Sequence, residues 1–225
     1  MARWSAPEVA ARIEHTRLKP DTTQSDIDRL VEEARRYGFR GVCVPPYFVG
    51  YVRQLLGNDE RIRLVSVVGF PTGYHTTEVK VAEAEALIRN GADELDMVMN
   101  NAAYHSGHFE SVAEDVGAVV NVCHRHHVSC KVIIEAGLLK NGDDIQFVAQ
   151  MVVKAGADYV KTSTGIFGRG ATVEDIHCLR ETLPDNIKIK ASGGIRTPEQ
   201  AIALLKAGAD VLGTSSGIEI LKGVI

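Results

Sequence analysis

Apolar and polar positions along the chain follow two alternating periodicities. Segments with an apolar residue every three or four positions predict helices at about 25–37, 46–56, 75–90, 108–126, 143–155, 173–182 and 198–207. Short runs rich in Val, Ile and Leu predict strands at 13–16, 41–44, 63–68, 94–99, 130–134, 159–162, 187–191 and 211–214. Strands that alternate with helices in this way indicate a parallel sheet.

A repeated tripeptide supports the alternation. Gly-Ala-Asp occurs at 91–93, 156–158 and 208–210, each time after a helical pattern and before a strand-like run. Glycine readily adopts the left-handed conformation that ends a helix. Each copy therefore predicts the turn by which the chain leaves a helix and enters the next strand.

Eight predicted strands in 225 residues fit two α/β architectures. One is a closed TIM (β/α)8 barrel, and the other is an open doubly wound sheet. A dinucleotide-binding open sheet carries Gly-x-Gly-x-x-Gly after its first strand, and no such sequence follows residues 13–16, so we favour the barrel. No linker-like stretch divides the chain. We therefore expect one domain over residues 1–225, with a short N-terminal helix near residues 5–12 closing the bottom of the barrel.

Composition excludes several classes of protein. Hydrophobic residues make up 45% and charged residues 24%, which is not the composition of a disordered chain. The net charge of −4 lacks the basic excess of a nucleic-acid-binding domain, and no apolar run approaches the 18 residues of a membrane span. Residues 1–15 have no signal-peptide core, and the four cysteines lack zinc-finger spacing. We expect a cytoplasmic protein with free thiols and no nucleic-acid or membrane partner.

Charged residues interrupt strands that should be buried. Asp96, Lys161 and Lys190 each lie late in a predicted strand, and barrel active sites form where strands end. Lysine is almost never buried without a partner, so the three side chains predict one cluster at the C-terminal mouth of the barrel. A purely structural ion-pair network is the alternative. For Lys131 and Lys188, which lie nearer the starts of their strands, we favour that structural role.

Two lysines beside one carboxylate suit Schiff-base chemistry. A lysine with the ordinary pKa of ~10.4 is almost wholly protonated at pH 7, and only the neutral amine attacks a carbonyl carbon. Burial and a second ammonium group nearby both lower that pKa, which makes the lysine a nucleophile. A carboxylate working with an ordered water can then move protons.

Glycine-rich turns follow the last three predicted strands, at 165–170, 192–194 and 213–217. Glycine lets backbone N–H groups approach an anion closely, and the loops after strands 7 and 8 of barrels often hold a phosphate. The turns at 192–194 and 213–217 therefore predict a phosphate site. The first turn fits either the same site or a lid.

These segments also resemble a known family. The sequences ELDMV at 94–98, KTSTG at 161–165 and KASGGIRT at 190–197 are similar to the signature strands of deoxyribose-phosphate aldolases. Supporting segments lie around 14–20, 42–46, 68–73 and 131–135, in the order found in the family. The resemblance covers nearly the whole chain.

The resemblance implies a TIM-barrel class I aldolase that needs no metal or other cofactor. Such an enzyme reversibly cleaves 2-deoxy-D-ribose 5-phosphate to acetaldehyde and D-glyceraldehyde 3-phosphate in deoxyribonucleoside catabolism. It implies that Lys161 forms the Schiff base, that Lys190 perturbs it and assists proton transfer, and that Asp96 works with a water. The remaining expected contacts to substrate or phosphate are Thr162, Gly165, Gly193, Gly194, Ser215, Ser216 and Asn100.

The sequence departs from the family pattern at a few positions. Glu14 stands where Asp is usual, and Arg17 stands where Leu is usual. Ile166 occupies a position at which some members carry a phosphate-holding lysine, and Arg169 is a candidate substitute. Cys43 matches a thiol that reacts with aldehyde-derived inhibitors in some members, although a buried thiol is equally consistent with an inert role.

Two other functions remain open from the residues themselves. One is another lysine-dependent sugar-phosphate aldolase or a transaldolase, and the other is a non-catalytic phosphosugar-binding protein. For the aldolase we expect small phosphosugar and aldehyde substrates as the only ligands, bound by a homo-oligomer, either a dimer or a tetramer.

Overall fold

Eight parallel strands close into a barrel in chain order, with β1 paired to both β2 and β8. The structure is a computed structural model that describes residues 4–224, so residues 1–3 and 225 of the predicted domain lie outside the described residues. The closed sheet confirms the TIM barrel over the open sheet. The strands are β1 (Ile13–Thr16), β2 (Gly41–Cys43), β3 (Arg63–Val68), β4 (Glu94–Val98), β5 (Ser129–Ile133), β6 (Tyr159–Lys161), β7 (Lys188–Ser192) and β8 (Val211–Thr214).

Helices flank the barrel and return the chain from one strand to the next. Short 3-10 turns at Pro46–Phe48 and Ala136–Leu138 precede α3 and α7. None of the helices in residues 4–224 is long and apolar enough to cross a membrane. The helices are α1 (Ala6–Ala10), α2 (Gln24–Tyr37), α3 (Val49–Leu56), α4 (Thr77–Arg89), α5 (Asn101–His105), α6 (Phe109–Arg125), α7 (Gly142–Lys154), α8 (Val173–Thr182), α9 (Pro198–Ala207) and α10 (Gly217–Lys222).

The predicted elements are all present, with ends that move by one or two residues. The helix predicted at 46–56 begins with a 3-10 turn, in which the N–H groups of Phe48 and Val49 donate to the carbonyls three residues earlier, those of Pro45 and Pro46. α5 and α10 have five and six residues and were not among the predicted helices. α1 is the expected N-terminal helix; it lies at the bottom end of β1 and buries Val9 and Ala10.

Local sequence explains where the helices begin. Three threonines cap helices. The hydroxyl of each accepts a hydrogen bond from the backbone N–H three residues later, and the side chain of that later residue accepts one from the backbone N–H of the threonine. Such caps contribute about 1 kcal/mol each because they satisfy N–H groups left free by the first turn. The pairs are Thr23 with Asp26, Thr172 with Asp175, and Thr197 with Gln200.

The Gly-Ala-Asp repeat forms the same turn three times at the bottom of the barrel. The glycines adopt φ of 97°, 102° and 113°, a conformation that a β-carbon would strain. Each aspartate carboxylate accepts a hydrogen bond of 2.7–2.8 Å from the start of the neighbouring strand. These bonds tie each incoming strand to the one before it: Leu64 N–H to Asp93, Cys130 N–H to Asp158, and Ile189 N–H to Asp210.

The two faces of each strand meet different surroundings. Leu95 and Met97 of β4 belong to the main hydrophobic core, whereas their neighbours Glu94 and Asp96 join a buried group of charges described below. A small apolar cluster of Cys43, Val65 and Val67 packs with Leu18 and Phe70, which line the mouth. The barrel interior is therefore ionic, with an apolar patch near one side of the mouth.

Candidate active site

The structure brings together the three ionisable side chains that the sequence singled out. Lys161 on β6 and Lys190 on β7 both donate to Oδ2 of Asp96, which lies on β4, at 2.7 and 2.5 Å. All three side chains are at least 95% buried. Since charged groups are buried only when they are paired, this contact explains how three charges occupy the barrel interior.

A second layer of charges lies below this contact, toward the bottom of the barrel. Lys131 on β5 donates to Oδ1 of Asp96 at 2.9 Å and contacts Glu94 at 2.6 Å. Arg40, just before β2, donates to Glu14 and Glu94 at 2.5 Å each. We call these seven side chains the interior ion cluster, and its members are Glu14, Arg40, Glu94, Asp96, Lys131, Lys161 and Lys190.

Glu14 closes the interior ion cluster. One of its carboxylate oxygens contacts Lys190, and the other contacts Arg40. Glu14 and Lys190 are 176 residues apart in the chain. The pairing of β1 with β8 at the barrel closure brings them together. The Glu side chain at a position where Asp is usual therefore contacts Lys190, one of the two lysines beside Asp96.

Charge balance distinguishes the two lysines at the top of the cluster. Burial alone would lower the pKa of Lys190, but the charges of Asp96 and Glu14 outweigh it and raise the pKa to about 12. Lys161 shows the reverse: burial and the nearby charge of Lys190 lower its pKa, although Asp96 opposes the shift. Lys190 is thus held as an ammonium ion, and Lys161 is the lysine that most readily becomes a neutral amine.

Asp96 and Glu94 have lowered pKa values and stay ionised. Burial would raise the pKa of Asp96, but Lys131, Lys161 and Lys190 hold it well below its ordinary value. Lys131 keeps its proton, since Asp96, Glu14 and Glu94 outweigh burial and raise its pKa. Asp96 therefore remains an anion, and its two oxygens orient Lys131, Lys161 and Lys190.

A cavity of about 330 Å³ opens above Lys161. Lys161 is the only member of the interior ion cluster on its wall, so the nucleophile predicted from the sequence faces the cavity and its partners lie beneath it. Three loops at the ends of β6, β7 and β8 supply one side of the wall. The opposite side is apolar or basic, and it includes Arg17, Leu18, Lys19, Pro20 and Phe70.

Four of the predicted phosphate contacts line this cavity: Gly165, Gly193, Gly194 and Ser215. None of these four backbone N–H groups donates a hydrogen bond to another residue within 4–224. Gly165, Gly193 and Gly194 have positive φ of 78°, 88° and 74°. Free N–H groups on the wall of a concave site can hold an anion, so this arrangement can bind a phosphate.

The other three predicted contacts do not line the cavity. Thr162 is buried, and its hydroxyl donates to the Ser192 carbonyl and accepts from the Ser192 N–H. The Asn100 side chain caps α5 by accepting from the Ala103 N–H. Ser216 is the N-cap residue just before α10, and its N–H donates to the Thr214 hydroxyl. Each of these residues is used locally to fix backbone at the mouth.

The candidate substitute for a phosphate-holding lysine is positioned elsewhere. Arg169 forms a two-pronged ion pair with the buried carboxylate of Asp175 and does not line the cavity. Arg196 does line it, is exposed, and forms no ion pair within residues 4–224. Arg196 is therefore the guanidinium available to an anion at the mouth, because its charge is not already neutralised.

Cys43 lies inside the barrel close to the lysines. The thiol is fully buried, and burial raises its pKa to about 11. Since the thiolate is the reactive form, the structure favours the inert role over the reactive one. No three His, Cys, Asp or Glu side chains converge as metal ligands in the described part of the chain.

Several residues of the site had no predicted role. Lys131 was expected in a structural ion-pair network, and it contacts Asp96 because the two are register partners on β4 and β5. Glu14 and Arg40 were not assigned, although an acid within the predicted strand 13–16 is the same kind of signal as Asp96. Glu135, a buried residue with φ of 49°, gave no such pattern because it follows the end of β5.

Comparisons with known proteins agree over nearly the full chain. The sequence profile of DeoC/LacD family aldolases matches residues 10–223. A deoxyribose-phosphate aldolase from Thermococcus gammatolerans is 45% identical over 217 residues, which is 96% of each chain. Deoxyribose-phosphate aldolase 1 of Staphylococcus aureus is 44% identical over 94% of each chain. The tetrameric deoxyribose phosphate aldolase of Aeropyrum pernix superposes with a TM-score of 0.89 at 35% identity, covering 97% of this chain and 91% of that one.

Proposed function

The chain belongs to the DeoC/LacD family of aldolases, and we propose that it cleaves 2-deoxy-D-ribose 5-phosphate reversibly as a class I aldolase. The products are acetaldehyde and D-glyceraldehyde 3-phosphate. One observation carries the proposal: Lys161, a lysine with a lowered pKa, faces the cavity, while its partners Asp96 and Lys190 lie beneath.

The reaction begins when neutral Lys161 attacks the C1 carbonyl of the open-chain sugar. Addition gives a carbinolamine, and loss of water gives an iminium ion that is attached to Nζ of the lysine. Protons must reach the departing hydroxyl group in this step. Lys190, whose pKa is raised, is the ammonium ion that replenishes them, and Asp96 with a water carries them.

Cleavage follows from the charge on the iminium nitrogen. A base removes the proton of the C3 hydroxyl, the C2–C3 bond breaks, and its electron pair becomes the C1–C2 double bond of an enamine. The C3 fragment leaves as D-glyceraldehyde 3-phosphate. Protonation of the enamine at C2 and hydrolysis of the resulting iminium release acetaldehyde and regenerate Lys161.

The phosphate group sets the orientation of the substrate. Free N–H groups of Gly165, Gly193, Gly194 and Ser215 face the cavity, and Arg196 adds a positive charge at its rim. With the phosphate held there, the aldehyde end of the sugar extends toward Lys161. This arrangement supports a phosphorylated substrate, because one cavity offers both an anion site and the lysine.

Borohydride trapping tests the proposal. Wild-type protein is incubated with acetaldehyde, reduced, digested and mapped by mass spectrometry, and we expect a two-carbon adduct on Lys161. The matched control is Lys188→Met, which removes an exposed lysine from the same barrel and leaves the adduct in place. Absence of the adduct overturns the proposal. Adduct formation with ketoses but not with acetaldehyde supports the transaldolase or ketose-bisphosphate alternative instead.

A second measurement distinguishes catalysis from simple binding. We expect Lys161→Ala to lose turnover and still bind deoxyribose 5-phosphate, because the anion-binding groups are unchanged. Turnover retained by this variant would remove Lys161 from its role. Turnover absent from the wild type, together with tight binding, would support a phosphosugar-binding protein.

The proposal extends to assembly and location. The Aeropyrum pernix relative is tetrameric, which supports a homo-oligomer for this chain, and light scattering after gel filtration measures its mass. All four cysteines are free thiols, as expected in the reducing cytoplasm where we place the enzyme.

A further inference from the structure

Glu135 is a buried carboxylic acid beside the cavity that the mechanism above does not use. It lies two residues beyond the end of β5, and its side chain is fully buried. Its backbone adopts φ of 49° and ψ of 59°, the left-handed region that residues with a β-carbon rarely occupy. Such a conformation persists when surrounding structure enforces it, and it is often found at functional sites.

One oxygen of Glu135 holds the turn that follows β6. Oε2 accepts hydrogen bonds from the backbone N–H of Thr164 at 3.1 Å and from its hydroxyl at 2.5 Å. The same threonine hydroxyl accepts the N–H of Ile166 at 3.1 Å. The carboxylate therefore fixes the first residue of the turn directly and the third through Thr164.

This network leaves a single N–H of the turn free. The N–H groups of Thr164 and Ile166 are both consumed by it, while the N–H of Gly165 has no partner among the described residues. All three residues line the cavity. The Gly165 N–H is therefore the donor that the turn offers to a bound anion.

The other oxygen shows that the carboxyl is not fully satisfied by the fold. Oε1 of Glu135 is buried and has no hydrogen-bond partner. Burial raises the pKa of Glu135, which the bonds from Thr164 and the charge of Lys161 partly oppose. An unpaired buried oxygen is unfavourable for stability, so stability alone does not account for an acid at this position.

The backbone after Glu135 is fixed from the other side as well. A β-carbon on Gly137 would lie 2.7 Å from both the N and the O of Arg169, and one on Gly168 would lie 3.1 Å from Gly137. The loop after β5 thus packs backbone to backbone against the loop after β6. Glu135 is fixed at the junction of the two loops and cannot easily shift relative to Thr164.

We propose that Glu135 is a positioning residue that holds the 164–166 turn so that the Gly165 N–H meets the phosphate of the substrate. The inference rests on the proposed function for the identity of the anion. It predicts an effect on phosphate recognition and not on Schiff-base formation, because Glu135 has no hydrogen bond to Lys161.

The test compares phosphorylated and unphosphorylated sugar. For Glu135→Ala we expect KM for deoxyribose 5-phosphate to rise about tenfold with kcat within about twofold. We expect kcat/KM for 2-deoxyribose and the borohydride trapping of acetaldehyde on Lys161 to stay within about twofold. Glu135→Gln keeps an acceptor for Thr164 and should restore most of the affinity. Glu114→Ala, an exposed glutamate on α6, is the matched control.

Several outcomes overturn the inference. Equal losses of kcat/KM on both sugars would indicate general distortion, and unchanged kinetics on both would show that the turn needs no carboxyl. If Glu135→Ala fails to fold, Thr164→Val tests the same network and should give the same selective rise in KM; a parallel loss on both sugars by that variant overturns it.

Failure of the proposed function is recognisable separately. If the wild type does not turn over deoxyribose 5-phosphate, the proposed function fails, and calorimetric binding of this sugar phosphate then decides the role of Glu135. Weaker binding by Glu135→Ala than by wild type supports the inference, and equal affinities overturn it.

Discussion

Lys161 and Lys190 are register partners on neighbouring strands, and both ammonium groups reach the same oxygen of Asp96. In a parallel pair, partner side chains point to the same face, so the sheet itself places the two lysines together inside the barrel. Their pKa values are moved in opposite directions, lowered for Lys161 and raised for Lys190. In the proposed mechanism, the same contact supplies a nucleophile and a proton donor.

Removal of Lys190 should make Lys161 harder to deprotonate. The charge of Lys190 is one of the causes that lower the pKa of Lys161, so the pKa of Lys161 rises in Lys190→Met. We expect the acid limb of the pH profile for borohydride trapping to move about one unit toward alkaline pH, with trapping at pH 7 about tenfold slower. Lys188→Met is the control for loss of a lysine. An unmoved acid limb would contradict the electrostatic role of Lys190.

Removal of the Asp96 charge should act in the opposite sense on Lys161. Because Asp96 raises the pKa of Lys161, Asp96→Asn lowers that pKa and extends trapping to lower pH. Turnover should nevertheless fall by at least about 100-fold, since proton transfer loses its carboxylate.

For Asp96→Asn we also expect a loss of about 3–5 kcal/mol in unfolding free energy, because buried lysines lose their partner. Denaturant unfolding measures the loss. An Asp96→Asn variant as stable as the wild type would contradict a stabilising role for the buried ion pairs.

Two arginines near the mouth should differ in their effect on phosphate affinity. We expect Arg196→Gln to raise KM for deoxyribose 5-phosphate by about tenfold, because a charge-assisted contact is lost. Arg169→Gln should leave KM within about twofold, since that guanidinium is paired with Asp175 away from the cavity. Steady-state kinetics on both variants check this order, and a larger effect at Arg169 would reverse the assignment.

Acid should destabilise the interior ion cluster through Glu94. Burial would raise the pKa of this carboxyl, but Lys131 and Arg40 lower it from 4.5 to about 2. A lowered pKa in the folded state means that the stabilisation is complete above about pH 4.5 and is lost as the pH falls toward 2.

We therefore expect Glu94→Gln to be less stable than wild type at pH 7, with a stability difference that narrows as the pH falls from 4.5 toward 2. Urea unfolding at several pH values measures this difference. A difference that stays constant across the range would show that ionisation of Glu94 does not contribute to stability.

The architecture could be predicted from the sequence because every strand carries its own local signal. Apolar runs and glycine stops place eight strands, and the absence of Gly-x-Gly-x-x-Gly after the first strand favours the closure of β1 on β8 that the structure shows. The sequence did not reveal the shortest elements. α5 and α10 are too short to show a repeated apolar spacing, and the turn Pro46–Phe48 is apolar like the helix that follows it, so its 3-10 geometry could not be distinguished.

The candidate site was predictable where charge interrupts an apolar strand, and not where register decides the contact. Asp96, Lys161 and Lys190 stand out in their strands, and the structure joins them. That Lys131 meets Asp96 depends on which residues of β4 and β5 lie side by side. Thr162 and Asn100 fix the backbone through their side-chain hydrogen bonds. The sequence alone does not show where those hydrogen bonds point.

The three Gly-Ala-Asp turns lie at the end of the barrel opposite the cavity. There they tie the starts of successive strands together through identical hydrogen bonds. The loops that surround Lys161 take no part in those bonds. Substitutions in the loops can therefore accumulate during evolution, or be introduced by an engineer who seeks new acceptor aldehydes, without loosening the ties that keep the strands in register.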